Sequence, residues 1–366
     1  MKHYDLAVVG GSFSGLACAR SAAAKGVRTV VYERKQTPGA YTQSTGIFVK
    51  EIAESFGLPA HLTRKINGIR LYSPRLDSVD LHSEHYYFLA TDTTGVLDWM
   101  ARQVKIAGGL VRCGEKVDAI VRTPQRLLLT RQNTSCSYLV GADGVTSTVA
   151  RQFHLGTHKH FLLGAECVVT GFERLDPDYL HVFLDARYAP GYIGWLLHGV
   201  HHTQVGVAVQ YPKRPALEPF LLHLQRHFGG SIKVLGKRGG FIPCGGVVRP
   251  FAGDRVCLLG DAAGTVSPLT AGGIHPAIDI GERLGAAVAD YIHYQGAAPH
   301  QVIEEALPDY RFKRYLRLLN RHIVPPNWLL NACLGNPVFQ RMAQIIFFHH
   351  RGLLCKEAWR EILSSR

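Results

Sequence analysis

Short unbroken apolar runs that stop at glycine recur along this chain, and each is followed by a stretch of helical spacing. Residues 4–9 form the first such run and end on Gly10-Gly11. A helix is predicted from about residue 15 to 25 and stops at Gly26. Residues 28–32 then predict a second buried strand closing on Glu33, which completes a βαβ unit at the start of the sequence. A turn-rich stretch leads to a predicted helix over 49–56. Strands of a second sheet are predicted at 69–72 and 86–89, a helix at 96–107, and strands at 110–121 and 126–130. The strand-then-glycine pattern returns at 138–144 and at 256–260.

Between 160 and 250 the rhythm changes to alternating and aromatic positions, with turn signals at Ala189-Pro190-Gly191 and at residues 212–215, which predicts an antiparallel sheet. Beyond Ala271 the spacing is helical, broken at Pro325-Pro326 and at 335–337. The predicted architecture is α/β with two lobes. A discontinuous nucleotide lobe takes residues 1–68, 93–155 and 250–300, a substrate lobe takes 69–92 and 156–249, and a helical region covers 301–366.

With 366 residues, 46% hydrophobic and 19% charged, the chain has enough apolar surface for a full core. No run of apolar residues is long enough for a membrane-spanning helix. No secretory leader precedes the first strand, and the eight scattered cysteines show no metal-ligand spacing. Free thiols and a cytoplasmic location are the expectation, with no metal. The net charge of +13 is dispersed and carries no nucleic-acid signature, so an anionic membrane face or a phosphorylated substrate suits it as well as plain solvation does. The apolar stretch at 339–354 predicts contact with a membrane surface, against a core or dimer helix as the plainer reading.

The turn after the first strand is Gly10-Gly11-Ser12-Phe13-Ser14-Gly15, a dinucleotide fingerprint with serine at its third place. Backbone N–H groups at such a helix start favour pyrophosphate. Glu33, with Arg34 beside it, stands where an acid binds adenosine ribose and disfavours a 2′-phosphate. Far along the chain, Gly260-Asp261 follows another apolar strand and precedes Pro268 and Gly272-Gly273-Ile274. Asp261 can accept hydrogen bonds from ribitol hydroxyls, while bare amides at Gly272 and Gly273 can approach a flavin's pyrimidine edge. The two ends of the chain thus point to one FAD.

Together with Gly141-Ala142-Asp143-Gly144, these motifs resemble those of FAD-dependent oxidoreductases built like p-hydroxybenzoate hydroxylase. The resemblance covers most of the first 300 residues. It implies a glutathione reductase-type FAD-binding Rossmann lobe with an inserted antiparallel substrate domain and a helical C-terminus. It further implies ribitol contact at Asp261, a role for Asp143 near the pyrophosphate and adenine contact at Val117. Ser267-Pro-Leu-Thr-Ala-Gly-Gly-Ile274 and Gly264 resemble the geranylgeranyl reductase-like branch, as does Tyr192-Ile-Gly-Trp195. The last segment departs from that branch's spacing, and neither its cysteine near Ser44 nor its arginine before the 96–107 helix is found.

The resemblance implies hydride transfer through FAD to a small hydrophobic substrate, reducing double bonds of an isoprenoid-like lipid. Thr45, Tyr192, Trp195 and Pro268 are candidates for the pocket and His275 for the proton donor. The donor of electrons is NAD(P)H bound transiently or another carrier, and the oligomeric state is open. Two alternatives share these motifs: a monooxygenase acting on an aromatic or polyketide-like molecule, and a non-catalytic binding protein. The histidines at 198, 201 and 202 read as an exposed turn.

Overall fold

A computed structural model describes residues 1–348, without the side chain of His322. The chain begins β1 (Lys2–Val9), α1 (Phe13–Ala24), β2 (Thr29–Glu33), β3 (Ile47–Val49), α2 (Lys50–Phe56), β4 (Thr63–Ile66), β5 (Gly68–Tyr72), β6 (Ser78–Leu81) and β7 (Phe88–Thr91). It continues with α3 (Thr93–Ile106), β8 (Leu110–Cys113), β9 (Ile120–Arg122), β10 (Leu127–Leu129), β11 (Thr134–Gly141), α4 (Thr148–Gln152), β12 (Phe161–Thr170), β13 (Tyr179–Phe183), β14 (Gly194–His198) and β15 (Thr203–Gln210). Then follow α5 (Leu217–Phe228), β16 (Lys233–Pro243), β17 (Ala252–Gly253), β18 (Val256–Leu258), α6 (Ile274–Tyr294), α7 (Pro299–Glu304), α8 (Arg311–His322), α9 (Asn327–Leu334) and α10 (Pro337–Phe348). Two compact units result, one from Met1–Thr42, Thr93–His160 and Ile242–Arg311, the other from Gln43–Asp92, Phe161–Phe241 and the chain from Phe312 onward.

The first unit is built on parallel strands in the order β18-β11-β1-β2-β8, with β17 antiparallel at one edge and β9 and β10 folded onto β11. All five positions of β2 and seven of the eight in β11 are buried, the signature of strands covered on both faces. Chain direction across the sheet reverses beside β1, which pairs with β2 on one flank and β11 on the other. Such a switch point opens a crevice at the carboxyl ends of the strands. Helix α6 lies against α1 at very short range. A β-carbon on Gly281 would come within 2.7 Å of the Ser14 carbonyl oxygen, and one on Gly285 would overlap that of Cys18. Arg20 pairs with Glu282 and Ser21 donates to the Glu282 carbonyl oxygen at 2.8 Å, pinning the crossing.

The second unit holds a seven-stranded sheet, β16-β12-β15-β14-β13-β5-β6, in which β12, β15, β14 and β13 run antiparallel in turn, β13 is parallel to β5 and β5 antiparallel to β6, and a small sheet β3-β7-β4. Phe220 and Leu224 of α5 pack with Val205, Val207, Leu196 and Phe183 on one side of the large sheet. Leu334 of α9 and Phe348 of α10 pack with Ile69, Leu71, Val182 and Leu197.

Several boundaries differ from the sequence reading. Residues 43–68 fall into the second unit, because β3 and β4 both pair with β7. The helices after residue 312 fall there too, since their apolar faces close its core. The strand expected over 110–121 stops at Cys113, where Gly114 turns at φ +76° and donates to the Lys35 carbonyl oxygen at 2.7 Å. The stretch expected to meet a membrane is partly core: Ile345 and Phe348 are fully buried, and residues 349–354 lie outside the described residues.

Candidate functional site

Four strand ends meet at one level in the first unit. Val9 is registered with Gly141 on β11 and with Tyr32 on β2, and Gly141 in turn with Leu258 on β18. The segments that leave these ends are the glycine turn, Glu33, the Asp143 turn and the Gly260-Asp261 turn. Gly10 has φ +109°, and a β-carbon there would overlap the Ala142 carbonyl oxygen. A β-carbon on Gly15 would overlap the Gly10 carbonyl oxygen. Only bare backbone fits both positions. Ser12 caps α1 in an extended conformation, is exposed, and makes no side-chain cap hydrogen bond. The first-turn amides therefore keep their capacity for an anion. Phe13 and Ser14 are buried beneath them.

Glu33 is buried, and its Oε2 accepts from Gly11 N at 2.7 Å while Oε1 accepts from Lys35 N at 2.9 Å. Each oxygen retains a lone pair for a hydroxyl donor. On the opposite flank, Gly260 (φ +60°) sits over Ser14, whose Cβ lies 2.9 Å from where a β-carbon would be. Contact between Gly11 and Glu33, and between Ser14 and Gly260, thus brings Glu33 and the Gly260 turn against the glycine turn. Arg34 is exposed just beyond Glu33. Val117 is buried in the irregular segment after Glu115, whose N–H donates to the Glu33 carbonyl oxygen at 3.0 Å.

Asp143 faces inward on its own turn. It accepts from Ser147 Oγ at 2.6 Å, Thr148 N at 2.6 Å and Val149 N at 3.1 Å, and Ser147 caps α4. Its carboxylate thus holds the start of α4, which is the work the geometry shows for it.

Asp261 is different. No described residue donates to its carboxylate, the residue is solvent-accessible, and dense surrounding protein pushes its pKa up to about 6. The Asp261 carbonyl oxygen is held by His158 Nε2 at 2.7 Å, and since a carbonyl only accepts, Nε2 carries the hydrogen. Burial holds this imidazole below its usual pKa, which favours the neutral ring. His158 stood in no motif and had no periodic signal, so the sequence did not disclose it. Gly264 (φ +79°) is required here, because a side chain would strike the Gly246 carbonyl oxygen and His158.

A raised carboxyl pKa has a defined effect on stability. Between the model-peptide value of 3.8 and about 6, the folded state holds the proton more tightly, so stability falls as pH rises through that window. Replacing Asp261 by Asn removes the penalty. Thermal melts of FAD-free protein should show D261N the more stable at pH 8, with the gain gone by pH 4. A constant difference at both pH values would contradict this.

Residues 267–273 close on themselves, with Ser267 N donating to Gly272 O at 3.0 Å and Ala271 N to Ser267 O at 2.9 Å. Pro268 is buried in this loop, Gly272 is exposed, and Gly273 caps α6. Ile274 and His275 occupy the first turn of α6, half-buried. Ala271 adopts φ +54°, a left-handed conformation that costs an L-residue about 1–2 kcal/mol. A271G is expected to raise stability by about 1 kcal/mol, read from urea unfolding of the apo protein.

The remaining pocket candidates, Thr45, Tyr192 and Trp195, lie in the second unit. Thr45 and Trp195 converge on Glu166, a buried carboxylate the sequence reading missed. Thr45 Oγ1 donates to Glu166 Oε2 at 2.6 Å, Trp195 Nε1 donates to the same oxygen at 2.9 Å, and Arg238 Nε donates to Oε1 at 2.7 Å. Arg238 Nη2 also reaches Gln204 Oε1 at 2.7 Å. Trp195 lies across its cross-strand partner Gly206, which leaves no room for a β-carbon. Tyr192 stacks under the Arg317 guanidinium, 5.1 Å from the ring centre. His201 and His202 are exposed in the turn between β14 and β15, and among the described residues no cluster suits a metal ion.

A Rossmann-type lobe with its glycine turn, Glu33 and Asp261 at adjoining strand ends has the fold of FAD-dependent oxidoreductases. Comparison with known proteins agrees. Residues 8–71 match the NAD(P)-binding Rossmann-like domain family. Digeranylgeranylglycerophospholipid reductase 2 of Methanothermobacter thermautotrophicus is 28% identical over 309 residues, 79% of this chain and 78% of that protein. Among solved structures, a geranylgeranyl bacteriochlorophyll reductase-like protein of Thermoplasma acidophilum superposes with a TM-score of 0.83 at 18% identity, covering 100% of this chain and 96% of that one. The p-nitrophenol 4-monooxygenase of Pseudomonas putida shares the fold less closely, with a TM-score of 0.69 at 17% identity over 99% and 98% of the two chains. The chain therefore resembles the geranylgeranyl reductase-like branch in both sequence and fold. No helix among the described residues is long and apolar enough to cross a membrane.

Proposed function

We propose that the protein reduces carbon–carbon double bonds of a hydrophobic, isoprenoid-like lipid. FAD, when bound, supplies the hydride at its N5 position. The observation that carries the reading is the meeting of the glycine turn, Glu33 and Asp261 at adjoining strand ends, in a chain whose relative acts on a digeranylgeranyl lipid. The amides of residues 12–15 would hold the pyrophosphate, Glu33 the adenosine ribose and Asp261 the ribitol hydroxyls. Three features support this fit: glycines at 10 and 15 that exclude side chains, a buried Glu33 with lone pairs to spare, and an Asp261 carboxylate without a protein donor. Val117 and Arg34 would flank the adenosine end.

The start of α6 directs its amides and its dipole toward the loop of Gly272 and Gly273, so these residues would steady negative charge on a bound ring. His275, in that first turn, is the proposed proton donor to the reduced substrate carbon. Thr45, Tyr192, Trp195 and Pro268 are the proposed contacts for the apolar substrate. Electrons would come from NAD(P)H bound in passing or from another reduced carrier, because the chain has no second dinucleotide fingerprint.

The test uses FAD-loaded protein reduced with dithionite without air and given a digeranylgeranyl ether lipid. Mass spectrometry should find product gaining a pair of hydrogens for each double bond lost. Hydroxylated aromatic product in air, with no hydrogenation of the lipid, would favour the monooxygenase instead.

A further inference from the structure

On the seven-stranded sheet, Glu166 of β12 is registered with Gly206 of β15, and Gly206 in turn with Trp195 of β14. Residues opposite one another in such a ladder share a face, so the three stand in one row. Glu166 and Trp195 are two strands, or about 10 Å, apart along it. Trp195 Nε1 nevertheless donates to Glu166 Oε2 at 2.9 Å. The indole spans the gap only because the position between them has no side chain. A β-carbon on Gly206 would lie 2.2 Å from Cζ2 and 2.4 Å from Cε2 of the ring. Glycine inside a strand forfeits backbone entropy and side-chain packing, and it marks close approach of another group. Here that group is the face of the indole. The row continues through Val182 of β13 to Leu71 of β5, both members of the apolar cluster against which Trp195 packs.

Glu166 fastens more than the indole. Thr45 Oγ1 shares Oε2 at 2.6 Å, while Arg238 donates to Oε1 through Nε at 2.7 Å and through Nη2. A carboxylate offers about four lone-pair sites, and these donors take them all, which leaves none for a substrate atom. Glu166 therefore acts through the residues it holds and not on a reacting group. Turning the carboxylate to release Trp195 would also break its hydrogen bonds to Thr45 and Arg238, and Arg238 is held in turn by Gln204 Oε1 at 2.7 Å.

We propose, resting on the assignment of Trp195 and Thr45 as substrate contacts, that Glu166 and Gly206 position the Trp195 indole and that this pose selects the unreduced lipid over its reduced product. Glu166 is a positioning residue, and Gly206 is the position that gives it reach. A ring held by its N–H at one end and by packing at the other is preorganised, so a ligand loses no affinity to ordering it. A fixed flat wall also selects by shape. The double bonds of an isoprenoid keep their substituent carbons in one plane and lie on the ring in full contact. Saturated units pucker, and a gap of about 0.5–1 Å forfeits a large part of the dispersion attraction.

The test uses full-length, FAD-loaded protein labelled with 15N-tryptophan and kept oxidised, so that lipid binds without turnover. The ligands are a digeranylgeranyl ether lipid and its fully saturated counterpart in detergent. The Trp195 indole N–H resonance, assigned by its absence from W195F, should lie downfield in wild type, as a hydrogen bond to a carboxylate requires. It should move upfield in E166Q and G206A. Both variants should bind the unsaturated lipid about tenfold more weakly, and the preference for it over the saturated lipid should shrink several-fold. E166L/R238M separates positioning from stability. Apolar replacement of both charges should restore the melting point, yet leucine offers the indole no acceptor, so lipid affinity should stay low. Wild-type affinity in E166L/R238M, an indole resonance unmoved in E166Q and G206A, or equal binding of the two lipids by wild type would each overturn the proposal. Selective binding with the expected variant pattern, but no lipid reduction once dithionite is added, would refute the proposed reaction and leave the positioning of Trp195 intact.

Discussion

G10A should purify without flavin colour and melt well below the wild type. Two independent penalties fall on this position. At φ +109° any L-residue is strained, and the added methyl has no space beside the Ala142 carbonyl oxygen. Strain and overpacking together should cost about 3 kcal/mol or more. Relief requires that β1 and β11 part at their carboxyl ends, where Ala142 N donates to Val9 O at 2.8 Å, and that movement tilts the amides proposed to hold pyrophosphate. G26A separates the two terms. Gly26 is also left-handed, at φ +82°, but only the His293 ring approaches, at 4.0 Å. G26A should lose about 1–2 kcal/mol from strain alone and keep its FAD. Flavin absorbance per protein and thermal melts check both; a G10A variant with normal flavin content would remove the glycine turn from the cofactor site.

E166A is the second large expected effect, a loss of about 3–5 kcal/mol in urea unfolding. A buried carboxylate that satisfies Arg238, Trp195 and Thr45 cannot be deleted without leaving a guanidinium and an indole N–H without their acceptor. E166Q keeps the shape and one acceptor but drops the charge, so it should fall between. The double variant E166L/R238M should recover much of the loss, because apolar replacement of both partners removes the unpaired charge. Trp195 fluorescence should shift in E166A and not in a surface control such as K237A. An E166A protein as stable as wild type would mean that the network contributes nothing net.

The sequence disclosed the parts whose physics is local. A glycine turn closing an apolar strand, an acid closing the next strand, and Gly260-Asp261 are each short-range patterns, and all three adjoin in the fold. It disclosed less where partners are distant. Glu166 lies in an alternating strand where any half-buried polar residue looks alike, and Arg238, seventy-two residues further on, gives no sign of reaching it. His158 is similarly silent. Residues 43–68 were placed with the nucleotide lobe because they follow it in sequence, but pairing of β3 and β4 with β7 is a choice made in space. For Asp143 the resemblance implies a place near the pyrophosphate, and the hydrogen bonds its carboxylate makes to Ser147, Thr148 and Val149 are not legible in the sequence.

The crossing of α1 by α6 through Gly281 and Gly285 has a consequence for synthesis. β1 has its neighbour β2 close behind it in the chain, yet its other neighbour β11 follows more than a hundred residues later, and the helix that clamps α1 later still. During synthesis the β1–α1–β2 unit therefore waits with one edge of β1 unpaired and one face of α1 uncovered. Chaperone binding to ribosome-held chains truncated before Gly281 should persist, and should be released once that glycine pair has emerged.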